Sequence, residues 1–534
     1  MKKLEINSME DTFDIAIVGL GPTGTVLANI LGQMGWSVVG IEREEDIYFS
    51  PRAVHFDDEI MRIFQSIGLS DQISNSSESF KQMEFVLKPG DAPIATGLVG
   101  SQDARYGFNG AYWFHQPTLE KHLHEGLIRY EKISTYYGYE VVELVQNENH
   151  ATLSIRKSKS LGKASVLAFD DLQSIKSKYV VGCDGGKSFV RRNAKLELES
   201  LDFDQPWIVV DTKTLTGKKD PELPQNHRQY CNPEQPVTYV PLAGPYYEWQ
   251  FMVVDGKSEK EAIDPFYVRK LLKPYVDLSK VEITRIAYYK FHGLWAKRWR
   301  NNRIILAGDA AHQMPPFLGQ GMCSGIRDAT SLAWRLNLVL KGKASIELID
   351  SYEKERYNHV KHIINGAILL GSIIQTTQKW KAILRNVFLF KPLAKSIKFR
   401  NWFTQKANRK MPLESGFLGE NNRVAGHLFI QPLIVYNGKE ILLDSLLGDD
   451  FALIVKSANT FKIYRNYDDS LFDLNLSLES PQFTISDQNL VEWFDESKIE
   501  FALVRPDKYI FDAGHLLDLP KVINRLNTLI PSAQ

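Results

Sequence analysis

Three short runs in this 534-residue chain combine residue types at spacings that could do chemistry. The first is GLGPTG, in which Gly19, Gly21 and Gly24 alternate with Leu20, Pro22 and Thr23, and Glu42 follows 18 residues after Gly24. Glycines so placed let backbone amides close on a diphosphate, and an acid at about that distance accepts bonds from ribose hydroxyls. The chemistry implied is the holding of a dinucleotide. The second run, YVVGCDGGKSFVRR at 179–192, puts Asp184 and two glycines directly after an apolar stretch. The third, at 303–336, puts Gly308 and Asp309 after another apolar stretch, followed by Pro315, Pro316, Gly319, Gln320, Gly321 and Met322. Here prolines stiffen the chain, glycines let backbone approach a planar ligand, and a helix start favours negative charge on that ligand.

Those residues act only if regular elements hold them. Residues 13–18 read as a buried strand, and Val26, Leu27, Ile30, Leu31 and Met34 are spaced for a helix that Gly35 ends. A strand over 37–41 then carries Glu42 to its tip. Strands at 178–182 and 304–307 carry the other two runs in the same way, and Ile326, Ala329, Leu332, Ala333 and Leu336 mark a helix from Ser324 onward. Strand, glycine turn, helix, strand in that order predicts an α/β fold with a parallel, Rossmann-like sheet. Residues 53–67 read as an amphipathic helix, and 140–155 as two strands about an NENH turn. Strand-like runs at 207–211, 238–242 and 248–254, parted by proline and glycine, predict an antiparallel sheet.

Together the three runs resemble the GxGxxG, DG and GD motifs of the single-component FAD-dependent aromatic hydroxylases, the class A flavoprotein monooxygenases. Within that class the chain is similar to the branch of 3-(3-hydroxyphenyl)propionate hydroxylase and phenol hydroxylase. The resemblance implies a Rossmann-like FAD-binding domain at 1–200 and 285–415, and an inserted antiparallel-sheet substrate domain at 201–284 with parts of 75–115. It further implies a thioredoxin-like C-terminal domain at 430–534, which here has no cysteine and so no thiol redox role. The implied cofactor contacts are Gly19, Gly21, Pro22, Thr23, Gly24, Glu42, Arg43, Arg52, Gln116, Asp184, Gly308, Asp309, Pro316, Gly319, Gln320, Gly321 and Met322. His312 is read as shaping the loop. The implied reaction is hydroxylation of a phenolic ring, such as that of 3-(3-hydroxyphenyl)propionate, with FAD, NAD(P)H and O2, through a C4a-hydroperoxyflavin. NAD(P)H would bind transiently, because the one dinucleotide fingerprint is taken by FAD. A phenol needs a partner to accept its proton; His227, Tyr230 and Tyr239 are the candidates. A larger polyketide-like phenol as substrate, or a non-catalytic flavin-binding scaffold, are the alternatives.

Composition removes other classes. Lys plus Arg and Asp plus Glu are equal at 64 each, so nothing points to nucleic acid. Cys183, Cys231 and Cys323 form no CxxC pair and no metal-ligand spacing, which predicts no metal and a reducing, cytoplasmic setting. The apolar window at 363–374 is too short for a membrane span, and no integral membrane association is expected. A homodimer is compatible with the sequence. The window 378–410 holds ten Lys or Arg and no acid, interleaved with Trp380, Phe388, Phe390, Phe399, Trp402 and Phe403. Such a window suits an anionic cofactor or a membrane surface; the stronger reading is a solvated basic face on helices joining two domains, with its aromatics packed inward.

Overall fold

The strand Thr12–Val18 buries its last four residues, Ile15, Ala16, Ile17 and Val18, and forms the centre of a parallel ladder. In the computed structural model, which describes residues 12–46, 53–100, 105–158, 172–407, 410–421, 423–465 and 481–530, it pairs with Val38–Glu42 on one side and Gln173–Gly182 on the other. Ile304–Leu306 adds to Gln173–Gly182, and Ile133–Tyr137 adds to Val38–Glu42. The register aligns Val18, Gly182 and Leu306. The chain therefore leaves three adjacent strands side by side, at Gly19, Cys183 and Ala307, where open α/β sheets bind their ligands. The helices Pro22–Gln33 and Gly321–Leu340 pack against each other over these tips. The two strands expected about NENH are present as Tyr139–Gln146 and Ala151–Lys157.

A second sheet of eight strands is antiparallel except where His227–Tyr230 runs parallel to Gln82–Val86. Its longest members are Leu198–Thr214 and Val281–Ala296, so the boundary expected at 284 falls inside a strand. Gln82–Val86 and Ala95–Leu98 complete it from the 75–115 region. Helix Pro265–Leu272 covers one face, over a core that includes Tyr230, Tyr239, Trp249 and Phe251. A small third sheet joins His55–Asp57, Ala111–Trp113 and Glu78–Ser79. The helix expected over 53–67 begins only at Asp58, because Asp57 turns out of that sheet and its side chain caps Ile60 N at 3.2 Å.

Toward the C-terminus, five strands pair in the order Phe483–Ile485, Thr460–Arg465, Ala452–Ser457, Phe501–Val504, Ile510–Gly514. A thioredoxin-like βαβ unit carries parallel strands, whereas every described pairing here is antiparallel. Buried charges fasten this unit to the rest. Arg505 bonds both oxygens of Glu355 at 2.8 and 2.9 Å, Tyr509 donates to Glu59 at 2.7 Å, and Arg62 grips Asp444 at 2.5 and 2.7 Å.

The basic window folds as helices Lys379–Arg385, Lys391–Lys395 and Ile397–Ala407 about a wide turn at Asn386–Phe390. Its aromatics do not all pack inward. Phe390 is buried and Phe399 and Phe403 are half-buried, but Trp380, Phe388 and Trp402 are exposed.

Candidate active site

Helix Pro22–Gln33 opens with proline at its first turn, and no side chain caps its amides. Gly19 has φ of +95°, and a Cβ there would lie 2.5 Å from Cys183 O. A Cβ on Gly24 would lie 2.0 Å from Gly19 O. Packing therefore demands both glycines. A Cβ on Gly21 meets nothing within 4 Å, so that side of the turn is open to a diphosphate approaching the helix amides. Glu42 accepts from Leu20 N at 2.8 Å and from Glu44 N at 3.1 Å, which fixes its carboxylate at the strand tip and leaves lone pairs for ribose hydroxyls. These features fit a dinucleotide such as FAD. Arg43 stands on the surface against Glu44.

The third run meets the first through Thr23. A Cβ on Gly308, whose φ is +61°, would lie 2.7 Å from Thr23 Oγ1, and one on Gly325 would lie 2.2 Å from it. Asp309 is exposed at this tip. Beneath it, buried Asp328 accepts from Gly308 N at 3.0 Å, from His312 Nε2 at 2.6 Å and from Arg356 Nε at 2.8 Å. Burial alone would raise the Asp328 pKa, but His312 and Arg356 hold it below the ordinary carboxylate value. His312 thus shapes the loop, as its position in the motif suggests, while Asp328 and Arg356 carry no motif that sequence reading could find. Pro316 opens the turn Pro316–Leu318, and Gly319 follows with φ of +62°, pressed so close to His55 that a Cβ would lie 2.4 Å from His55 Nδ1. Gln320 turns its amide oxygen to Arg327, 2.8 Å away, and Arg327 in turn bonds Glu59 and Asp57. Gly321 and half-buried Met322 start a helix with no side-chain cap and no acid in its first turn, a second open N-terminus beside the first.

Asp184 plays a different part. It is half-buried and accepts from Ser188 Oγ at 2.5 Å and from Val190 N at 3.0 Å, closing its own turn. Arg191 then ties Gly186 O to Ala310 O at 2.8 Å each, joining the second run to the third. Gln116 accepts from Ala53 N at 2.8 Å and donates to Glu120 at 2.6 Å, anchoring the chain just after Arg52, which lies outside the described residues.

Strand alternation separates the three candidate bases. Tyr230 and Tyr239 enter the core under Pro265–Leu272, where Tyr239 donates to Pro224 O at 2.7 Å. His227 lies on the opposite face with Gln229, Thr238, Gln250, Glu248, Asp211 and Trp207. That face looks toward the third run: Trp207 meets Phe317 edge-on at 6.1 Å, and His227 lies 5.6 Å from Trp113, whose ring is also edge-on to His55. Burial and each other's proximity hold His227 down to about 3; burial above all holds His55 down to about 4, so both are neutral near pH 7. Burial and neighbouring Asp211 push Glu248 up to about 8, so it is protonated there, while Asp211 pairs with Arg285 at 2.5 Å. The face is polar without net charge. Trp113 Nε1, Trp207 Nε1, Gln205 Oε1 and Asp211 Oδ1 are buried there with no protein hydrogen-bond partner, the mark of a surface that serves water or a ligand. His55 was not legible as a site residue, because nothing local distinguishes it from a histidine beside a helix.

Residues 12–367 match a family described as the FAD binding domain. The chain is 32% identical to a probable NADH-specific resorcinol 4-hydroxylase of Rhodococcus jostii (strain RHA1), over 97% of this chain and 96% of that protein. It is 29% identical to a 3-(3-hydroxy-phenyl)propionate/3-hydroxycinnamic acid hydroxylase of Klebsiella pneumoniae (strain 342), over 94% and 92%. In fold it is similar to the flavin-dependent monooxygenase PieE in complex with FAD and substrate, with TM-score 0.78, 18% identity, and coverage of 98% of this chain and 100% of that one. An aklavinone-11 hydroxylase in a ternary complex with FAD and aklavinone gives TM-score 0.75 at 19% identity, over 97% and 100%. With the glycine turn, the strand-tip acids and this match over most of its length in agreement, the chain belongs to the FAD binding domain family.

Proposed function

We propose that this chain is an FAD-dependent monooxygenase that hydroxylates a phenolic ring, with NADH as reductant and O2 as the oxygen source. The observation that carries the reading is the convergence of Gly19, Cys183 and Ala307 at the ends of three adjacent parallel strands, opposite a polar sheet face. Gly21 and the two open helix starts would hold the diphosphate and the ring's carbonyl edge, and Glu42 the adenosine ribose. Asp309 would hold the ribityl chain. When bound, FAD supplies the redox chemistry. The protein's own part is to seat the phenol on the sheet face and accept its hydrogen bond at neutral His227, beside His55. On this division, 1–200 and 285–415 form the flavin-binding unit, less the ends of strands Leu198–Thr214 and Val281–Ala296, which go with the second sheet as the substrate unit, and 430–534 forms a structural third domain.

The same face offers a substrate more than one donor. Arg285 donates from Nε to Asp211 and from Nη1 to Tyr289, but its Nη2 is buried with no hydrogen-bond partner. Lys213 shares the face by alternation, so a phenol of the resorcinol kind and a hydroxyphenylpropionate both find partners there. The test is aerobic incubation of the yellow protein with NADH or NADPH and a panel of neutral and acidic phenols, read by mass. A single added oxygen on one phenol of the panel, with faster NADH consumption, is the expected result. If no phenol changes mass or nucleotide consumption, the hydroxylase reading fails and the flavin-binding scaffold replaces it.

A further inference from the structure

The helical segment that begins with Lys379–Arg385 carries two apolar faces, of which the fold uses one. Ala382, Arg385, Phe390 and Leu393 turn toward the edge of the second sheet, where Arg385 bonds Cys231 O at 2.8 Å and Ile374 O at 3.0 Å. The segment is therefore anchored. Its other face holds Trp380, Ile383, Leu384, Val387 and Phe388, at the i, i+3, i+4, i+7, i+8 spacing of a single helical stripe. These side chains are 60%, 63%, 46%, 47% and 71% exposed, so the stripe faces solvent along its whole length. Ile397 and Trp402, at 71% and 53%, are further exposed apolar side chains on helix Ile397–Ala407. Contiguous exposure on this scale marks an interaction site.

Charge identifies the partner. The stripe lies within a window of ten Lys or Arg and no acid, in a chain whose charges balance only over its whole length. Lys379, Lys381, Lys391, Lys395 and Lys398 are exposed around it. A second copy of this chain meeting the same face across a two-fold axis would oppose like charges at close range, which costs free energy. An anionic bilayer satisfies both features at once: the apolar stripe enters the boundary between headgroups and acyl chains, Trp380 and Trp402 lie at headgroup level, and the lysines meet lipid phosphates. Among the described residues no helix is long and apolar enough to cross a membrane, so attachment is to one leaflet. We propose that the stripe from Trp380 to Phe388, with the lysines around it, docks this enzyme on an anionic lipid surface.

The test uses the full-length, FAD-loaded protein in flotation with vesicles of phosphatidylcholine, with and without phosphatidylglycerol. Flotation should be about tenfold greater with phosphatidylglycerol and fall at high salt, as a cluster of lysines near the surface requires. The double variant Trp380→Glu and Phe388→Glu, and separately Lys381→Glu with Lys391→Glu, should lose flotation while flavin content and solution NADH oxidation stay at wild-type values. All four residues are exposed, so folding is not at stake. Absence of wild-type flotation on phosphatidylglycerol vesicles, or flotation of the double variants at wild-type levels, overturns the proposal. A dimer in sedimentation that the Trp380→Glu, Phe388→Glu pair splits, without flotation of the wild type, assigns the face to a second copy instead.

Discussion

Asp309 stands exposed at a strand tip, whereas Asp184, which the same sequence logic selects, is half-buried and bonded within its own turn. The two should therefore fail differently. Asp309→Ala is expected to keep the wild-type melting temperature but to lose flavin on gel filtration, its FAD dissociation constant rising about tenfold for one charge-assisted bond; full flavin retention would remove Asp309 from the site. A second contrast tests the sheet faces. His227→Asn should lower kcat/KM for the phenol by about a hundredfold with FAD still bound. Tyr239→Phe should leave turnover unchanged and cost only about 1 kcal/mol of stability through its bond to Pro224 O. Equal kinetic damage from both would mean that the inner face has been misassigned. Sequence named His227, Tyr230 and Tyr239 together because alternation with period two separates faces without saying which one meets the ligand. Here both faces are buried, one by helix Pro265–Leu272 and one by the flavin loop, so hydrophobic pattern offers no arbiter.

At the scale of elements, the glycine turn and the two strand-tip runs were legible because each is a local strand–turn–helix unit. The support beneath them was not. Asp328 and Arg356 lie on two successive helices and meet Gly308 and His312 only after folding, a long-range pairing with no local spacing to betray it. Asp328→Asn leaves the Arg356 guanidinium buried without its charge, at an expected cost of about 3–5 kcal/mol. Calorimetry should show the drop in melting temperature, and the Gly308 turn should release flavin on milder heating than in the wild type. A variant that melts and holds flavin as the wild type does would show that the turn stands without this support. The exposed aromatics of the basic window escaped sequence reading for a related reason: an apolar stripe at helical spacing is the signature of a buried face, and only the fold shows that a neighbouring stripe had already taken that place.

For the molecule as a whole, buried and half-buried histidines set the response to acid. Burial holds His55, His115 and His124 down to about 4 and His227 to about 3. In the unfolded chain each takes a proton below 6.5, while the folded protein resists until near 4. Stability is thus complete above 6.5 and lost as pH falls toward 4, by up to about 1.4 kcal/mol per pH unit for each histidine. Glu248 acts in the opposite sense: held at about 8 against 4.5 unfolded, it contributes fully below 4.5 and loses its contribution as pH rises through 8. His359 is likewise held well below its ordinary value, and the lowered carboxyls of Asp57, Glu59 and Asp328 also lose their contribution as pH falls, against raised Asp58, Asp184 and Asp211 beside Glu248, so the acid side is the steeper. Melting temperature measured from pH 4 to 9 should peak near neutrality and fall most sharply below about 6; a flat acid limb would contradict neutral, buried histidines.

The ion pairs between the C-terminal unit and the flavin half also bear on how the protein is made. Glu59, beside the flavin loop, receives its hydrogen bond from Tyr509, and Glu355 receives both bonds of Arg505. As the chain emerges from the ribosome, the flavin half is complete some hundred residues before those partners exist. Its charged seam must stay wet through that interval, so the flavin half is at its most vulnerable to aggregation before synthesis ends, and a stop codon between the end of the flavin half and Arg505 leaves an otherwise finished nucleotide site on a body that cannot close.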